Sequence, residues 1–344
     1  MGELALIERI RRQGVRAGIS SHGLRSLVLG VGDDCAILRP PKGHEVLVTT
    51  DFSLEGRHFR RDWHPAESVG HRALARGLSD LAAMGAKPLA VFLSLALPAE
   101  MLATREGRRW VDGFFRGLRS LAGEHQVPLA GGDTAESPDG LVLADIVLMG
   151  SAPAGRALRR SGAKVGDVLY VTGELGGSAA ELAAMRRKGI PTHRDKAARN
   201  GALGRVARPQ LFPQPRVEVG MALLRRRLAT ACIDLSDGLS TDLRHLCEES
   251  GVGAEVIASA LPLHTLALEA GATRALDFSL HGGEDYELLF AAPVSVRMPR
   301  TVVGVRITRI GTVTPGASIS MLGEDGRRRP LRPGGWEHFA AKRP

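Results

Sequence analysis

Six short acidic motifs recur along the chain: Gly30-Val-Gly-Asp-Asp-Cys35, Thr49-Thr-Asp51, Leu78-Ser-Asp80, Gly131-Gly-Asp-Thr134, Asp234-Leu-Ser-Asp-Gly238 and Gly282-Gly-Glu-Asp-Tyr286. Glycine lets main-chain amides approach a ligand closely, and carboxylates are hard oxygen donors suited to Mg²⁺. One such motif is ordinary turn chemistry. Six of them, at the ends of apolar segments, point to a shared site. Carboxylates brought together at ~4 Å would repel by roughly 4 kcal/mol a pair at an effective dielectric of about 20. Bound cations offset that cost, so the motifs read as a multi-metal site that holds a nucleotide's phosphates through Mg²⁺ bridges.

Other phosphate-binding devices fail on their own residues. The nearest approach to a P-loop, Gly150 to Ala157, has Arg156 and Ala157 where lysine and a hydroxyl are needed. Gly30-Val-Gly32 starts like a dinucleotide fingerprint but lacks the third glycine. Cys35, Cys232 and Cys247 make neither a CxxC pair nor an even set, which argues against a zinc site or a disulfide framework.

The elements that must position these motifs are legible in the periodicity. The 344 residues, 44% hydrophobic and 24% charged, suggest about two domains with cores of their own. Glu45–Asp51 reads as a strand, Ala66–Met84 as a helix, Leu89–Leu97 as a buried strand, Arg105–Glu124 as a helix, and Val127–Ala130 and Leu141–Met149 as strands. After Ala152-Pro-Ala-Gly155 the pattern restarts, so domains 1–150 and 151–344 are expected. In the second, Val168–Thr172 and Ala229–Ile233 are strands and Ser178–Arg187 a helix. Leu239, Leu243 and Leu246 mark a helix face that Gly251 ends. The Pro, Arg and Gly-rich stretch Gly189–Pro215 is expected to be irregular.

Net charge is +9, with eight basic residues between Arg186 and Arg208 against Asp195 alone. Aromatics make up only 4% and do not interleave with the basic runs, so nucleic acid is not the expected partner. The longest apolar stretch, Leu89–Ala99, is far short of the ~20 residues a membrane span needs. Glu3 and Glu8 stand where a signal peptide would be basic or apolar, so a cytoplasmic protein is expected.

The motifs in their order, with Thr-Thr-Asp-Phe-Ser-Leu-Glu-Gly-Arg-His-Phe (49–59), Leu-Ser-Asp-Leu-Ala-Ala-Met-Gly-Ala-Lys-Pro (78–88) and Arg-Ser-Gly-Ala-Lys (160–164), resemble the thiamine-monophosphate kinases over nearly the whole chain. The wider superfamily of aminoimidazole ribonucleotide synthetase shares only parts of the set. The resemblance implies an α+β protein with the two-domain aminoimidazole ribonucleotide synthetase-like fold. An N-terminal sheet domain would dimerise and a C-terminal α/β domain would complete the site. It implies ATP and Mg²⁺ as cofactors, thiamine monophosphate as substrate, and a homodimer.

Carried over motif by motif, the resemblance makes Asp34, Thr49, Thr50, Asp51, Asp80, Asp133, Asp234 and Asp237 metal ligands. Gly132, Asp133, Arg160 and Ser236 would meet ATP, with Phe115 where many relatives have tyrosine near the nucleotide. His58, Glu284 and Trp336 would contact the thiamine phosphate, and Asp51, Asp133 and Arg160 would carry catalysis. An aminoimidazole ribonucleotide synthetase-like enzyme, or a basic nucleic-acid-binding protein, is the alternative reading.

Overall fold

The computed structural model describes residues 5–6, 8–9, 19–20, 25–31, 33–188 and 208–336. Gly32 of the first motif and positions 189–207, which hold most of the basic segment, lie outside them. The chain forms two compact units, which exchange at Arg156/Ala157; Ala82–Gly85 also belong to the second.

The first unit begins with a small hairpin, β1 (Leu27–Leu29) with β2 (Ile37–Leu38), whose connection is the Gly30–Ala36 loop. Its main sheet has four strands in the order β3 (His44–Leu54), β6 (Leu143–Pro153), β4 (Lys87–Leu97), β5 (Leu129–Glu136). β3 pairs with β6 along all eleven residues, from His44↔Pro153 to Leu54↔Leu143. Side chains alternate between the faces of a strand. Ser53 is buried on one face, beside Ala144, Ile146 and Leu148 of β6, while Val46, Val48 and Phe52 on the other are 41%, 59% and 61% exposed.

Helix α1 (Ala66–Ala83) covers the buried face: a Cβ on Gly77 would meet Ile146 and Leu148 at 3.0 and 3.3 Å. Helix α2 (Arg105–Glu124) has the bounds the periodicity predicts. The Thr104 hydroxyl caps it by accepting the Gly107 N–H at 3.1 Å. Leu74, Leu78, Phe114, Leu118 and Leu121 are completely buried, and a side chain of this size contributes roughly 1.5–3 kcal/mol on burial.

One strand differs from expectation. Val127–Ala130 was the predicted span, yet β5 runs from Leu129 through the Gly131-Gly-Asp-Thr134 motif to Glu136. Parallel pairing with β4, Leu93 with Gly132 and Ser94 with Asp133, supplies the ladder that glycine and aspartate propensities disfavour.

The second unit holds an eight-stranded sheet in the order β14 (Arg328–Pro330), β13 (Ile319–Leu322), β9 (Gly253–Ile257), β12 (Val305–Thr314), β7 (Val168–Thr172), β10 (Leu288–Ala292), β8 (Ala231–Asp234), with β11 (Thr301–Val302) beside β12. Helices α3 (Gly177–Lys188), α4 (Val217–Arg226), α5 (Leu239–Ser250) and α6 (Ala272–His281) accompany it. Leu169, Val171, Ile233, Leu243, Leu289 and Ile310 belong to one apolar core. Gly251 ends α5 in the left-handed conformation, φ 66°. Helix α4 was missed by periodicity because Val217, Val219 and Gly220 are poor helix formers. Among the described residues no helix is long and apolar enough to cross a membrane.

Candidate active site

In the first unit a single stripe of α1 organises the Thr-Thr-Asp segment. Arg72, Arg76 and Asp80 recur every four residues and so lie on one helix face. The Asp80 carboxylate accepts the Thr49 hydroxyl. Arg76 Nε stands 3.6 Å from Asp51 Oδ1. Arg72, buried to 4% exposure, donates to the His58 carbonyl at 3.0 Å. Neither arginine was anticipated from sequence, although charges inside an otherwise Ala, Leu and Gly-rich buried helix are a signal that could have found them.

Burial pushes the Asp51 carboxyl up to about 7, and the neighbouring charge of Asp80 adds to the rise while Arg76 opposes it. Neighbouring carboxyls whose charges oppose one another are a setting that a divalent cation would relieve. Thr50 belongs to the same motif but to the other face of β3, with Val48 and Phe52, so its side chain points away from Thr49 and Asp51. His58 Nδ1 accepts the Leu54 N–H at 3.0 Å, which leaves the proton of the neutral ring on Nε2.

Two more motifs meet in a cavity of about 690 Å³. Its walls include Asp33, Asp34 and Cys35 of the β1–β2 loop, Gly131 to Thr134 of β5, and the rings of Phe92 and Phe115. Gly132 has φ 147°, and a Cβ there would stand 1.9 Å from the Leu93 carbonyl oxygen, so no other residue fits. Asp133 is exposed at the edge strand and accepts the Thr134 N–H at 2.8 Å. Phe115 is buried with its ring edge-on to Phe114. A wall of aromatic rings beside carboxylates and glycine amides suits a ligand with a planar base and an anionic tail held through cations.

In the second unit the loops after β8 and before β10 continue the strand pairing. Leu235 N–H donates to the Glu287 carbonyl at 2.8 Å, Tyr286 N–H to Leu235 at 3.0 Å, and Glu284 N–H to Ser236 at 2.9 Å. Thus the Asp-Leu-Ser-Asp-Gly and Gly-Gly-Glu-Asp-Tyr motifs lie side by side. Asp242, in the first turn of α5, accepts the N–H groups of Asp237 at 3.1 Å and Gly238 at 3.0 Å. Burial, and then the charges of Asp234 and Asp237, push its carboxyl up to about 8. Sequence reasoning stopped at Gly238; an acid in the first turn of the helix behind it is the cue it passed over.

Asp285 of the last motif serves the fold: its carboxylate accepts from Gly176 N–H at 2.7 Å and Ser178 N–H at 3.1 Å at the start of α3. Glu287 takes the Thr172 hydroxyl at 2.6 Å and pairs with Arg216. Arg160 is exposed, with its carbonyl accepting the Ser250 hydroxyl at 2.9 Å. The chain returns to this site late. Gly334 N–H donates to Ser240 Oγ and Gly335 N–H to Thr241 Oγ1, both at 3.2 Å. Trp336 N–H donates to the Asp237 carbonyl, also at 3.2 Å, and the indole is 52% exposed, so it plugs no core.

Among the described residues no three His, Cys, Asp or Glu side chains are grouped closely enough to form a ready-made metal centre. The donor set nonetheless fits Mg²⁺. Asp51 and Asp80 present neighbouring hard oxygens whose repulsion a cation would relieve, and Asp34 and Asp133 line one cavity.

Comparison with known proteins bears on all of this. Residues 32–152 match the family described as AIR synthase related protein, N-terminal domain, and residues 164–322 its C-terminal domain. The chain is 39% identical over 316 residues to the thiamine-monophosphate kinase of Salmonella typhimurium, covering 90% of this chain and 92% of that one. It resembles the crystal structure of thiamine-monophosphate kinase from Stenotrophomonas maltophilia K279a, with TM-score 0.78 and 35% identity over 95% of this chain and 98% of that one. It also resembles AaThiL complexed with AMPPCP and TMP, with TM-score 0.73 and 29% identity over 98% and 97% of the two chains.

Proposed function

This chain belongs to the thiamine-monophosphate kinase family, and from that premise we propose that it passes the γ-phosphoryl group of ATP in line to the phosphate of thiamine monophosphate, giving thiamine diphosphate. It is a kinase: it phosphorylates thiamine monophosphate at the expense of ATP. The observation that carries the reading is the 690 Å³ cavity whose walls unite the Gly30–Ala36 and Gly131–Thr134 motifs. A nucleotide fits that size, and a relative is solved with both AMPPCP and TMP.

The acceptor is a phosphate monoester, mostly dianionic at neutral pH because its second pKa is ~6. No general base is needed, in keeping with the absence of a histidine–carboxylate pair from the motifs. The difficulty is to bring one anion to another. Mg²⁺ held by Asp34, Thr49, Thr50, Asp51, Asp80, Asp133, Asp234 and Asp237 would supply charge neutralisation, Thr50 through its main chain. Arg160 adds a fixed positive charge, and Gly132 and Ser236 offer main-chain and hydroxyl hydrogen bonds to the nucleotide. Phe115 contributes a wall and no hydrogen bond. His58, Glu284 and Trp336 recognise the thiamine moiety, whose thiazolium cation suits both a carboxylate and an indole face.

The open face of the first unit's sheet supports a homodimer: Val46, Val48 and Phe52 form an apolar surface that solitary chains rarely leave to water. Use of ATP fits the cytoplasmic location expected from the sequence. Formation of thiamine diphosphate from thiamine monophosphate, ATP and Mg²⁺ tests the function. ADP release with formylglycinamidine ribonucleotide in place of thiamine monophosphate would instead favour the synthetase reading.

A further inference from the structure

Glu284 is held in a conformation that its own backbone disfavours, with φ 68° on a side-chain-bearing residue. Its N–H is fixed to the Ser236 carbonyl, and its carboxylate oxygen Oε2 accepts Gln210 Nε2–H at 3.0 Å. Gln210 is only 2% exposed. The orientation of its amide is set from behind: Oε1 accepts the Ser178 hydroxyl, so the NH₂ group faces Glu284. The main chain of Gln210 is pinned as well, its N–H donating to Glu181 Oε2 at 2.8 Å, while the other oxygen of Glu181 pairs with Arg208. Ser178 is in turn fixed by Asp285 at the start of α3.

We infer that Gln210 is a positioning residue that aims the Glu284 carboxylate at the cationic part of the substrate while leaving its negative charge intact. This rests on the reading of Glu284 as a substrate contact. A lysine or arginine in place of Gln210 would orient the carboxylate equally well but would neutralise it, weakening its attraction for a thiazolium. An amide is the neutral group that accepts on one side and donates on the other, as the Ser178–Gln210–Glu284 relay requires. The relay ends on the Glu284 carboxylate, so its effect is expected on the Michaelis constant for thiamine monophosphate.

The test is a double-mutant cycle on the full enzyme, with Michaelis constants for thiamine monophosphate and for ATP measured separately. Gln210→Leu is expected to raise the constant for thiamine monophosphate by about 5- to 30-fold, with kcat and the constant for ATP within about twofold. In a Glu284→Gln background the same change adds less than about twofold, because the group it aims has lost its charge. Equal effects in both backgrounds, or no effect on wild type, overturn the inference. If Glu284→Gln alone leaves the constant for thiamine monophosphate unchanged in an active enzyme, the reading of Glu284 as a substrate contact fails instead. Should Gln210→Leu not fold, Ser178→Ala removes only the hydroxyl that orients the amide. A rise of about 2- to 5-fold in the same constant, coupled to Glu284, supports the inference, and an uncoupled rise or none overturns it.

Discussion

Gly335 and Asp237 touch main chain to main chain: a Cβ on Gly335 would stand 2.0 Å from the Asp237 carbonyl oxygen, the atom that also accepts the Trp336 N–H. The indole is thereby tied to the loop that carries two proposed metal ligands, nearly a hundred residues earlier in the chain. Gly335→Ala should push the tail off this loop and raise the Michaelis constant for thiamine monophosphate without touching the aromatic ring. Trp336→Ala should raise the same constant about 2- to 30-fold, as a cation–π contact of ~0.5–2 kcal/mol implies. Its melting temperature should stay within about 2 °C of wild type, since the ring is half-exposed. Steady-state kinetics and thermal melts of both variants check this.

Asp51→Asn should lower kcat at least ~100-fold at saturating Mg²⁺, because it removes a carboxylate from the group proposed to hold the cation. Asp133→Asn should do the same from the cavity side. Neither change should destabilise the metal-free protein. Replacing Asp51 relieves its repulsion with Asp80, so its melt in a chelator should be no lower than that of wild type. Near-normal turnover in either variant would remove the shared-metal site from the mechanism.

A pH experiment follows from Asp285. Burial pushes this carboxyl up to about 7, helped by Glu287 and Glu284 and opposed by the N–H groups of Gly176 and Ser178; Arg216 pairs with Glu287 beside it. An acid whose pKa is higher folded than unfolded keeps its proton longer in the fold. Stability from this group therefore falls as pH rises from about 4 to about 7, and the whole loss is present above that. Asp285→Asn keeps an acceptor for α3 and cannot ionise. Its melting temperature should change less between pH 5 and pH 8 than that of wild type, while the slope contributed by Asp51 remains in both. Parallel curves would show that Asp285 does not titrate in this range.

The apolar face of β3 yields a fourth expectation. Phe52→Glu places a charge directly across from Asp145, on the face that also carries Val46, Val48, Val147 and Met149. Light scattering should give a dimer for the wild type at micromolar concentration and a monomer for the variant. A monomeric wild type would refute the dimer.

Long periodic elements were legible in the sequence and the supporting shell was not. Helix α2 was readable to its ends because its apolar spacing is regular and Thr104 caps it. β5 was misplaced because its residues, Gly131-Gly-Asp, form a strand only through β4. The acidic motifs announced themselves by composition. Arg72 and Arg76 are marked only as charges in a buried helix and Asp242 only as an acid in a first turn, fainter cues than glycine beside aspartate, and nothing local marks Gln210. Thr49, Thr50 and Asp51 looked like one ligand set in one dimension, and only the pleat of a paired strand separates the middle residue from its neighbours.

That pleat also constrains how this gene can change. Along β3, odd positions carry Thr49 and Asp51 toward α1, and even positions carry Val46, Val48 and Phe52 to the open face. Two instructions are thus written on one strand in alternate letters. Substitutions can edit either text separately, but insertion or deletion of a single codon within the strand would transpose them, sending the carboxylate to the apolar face and a valine to the helix. Among descendants of this sequence, length variation should accumulate in the surface connections and be purged from these eleven positions.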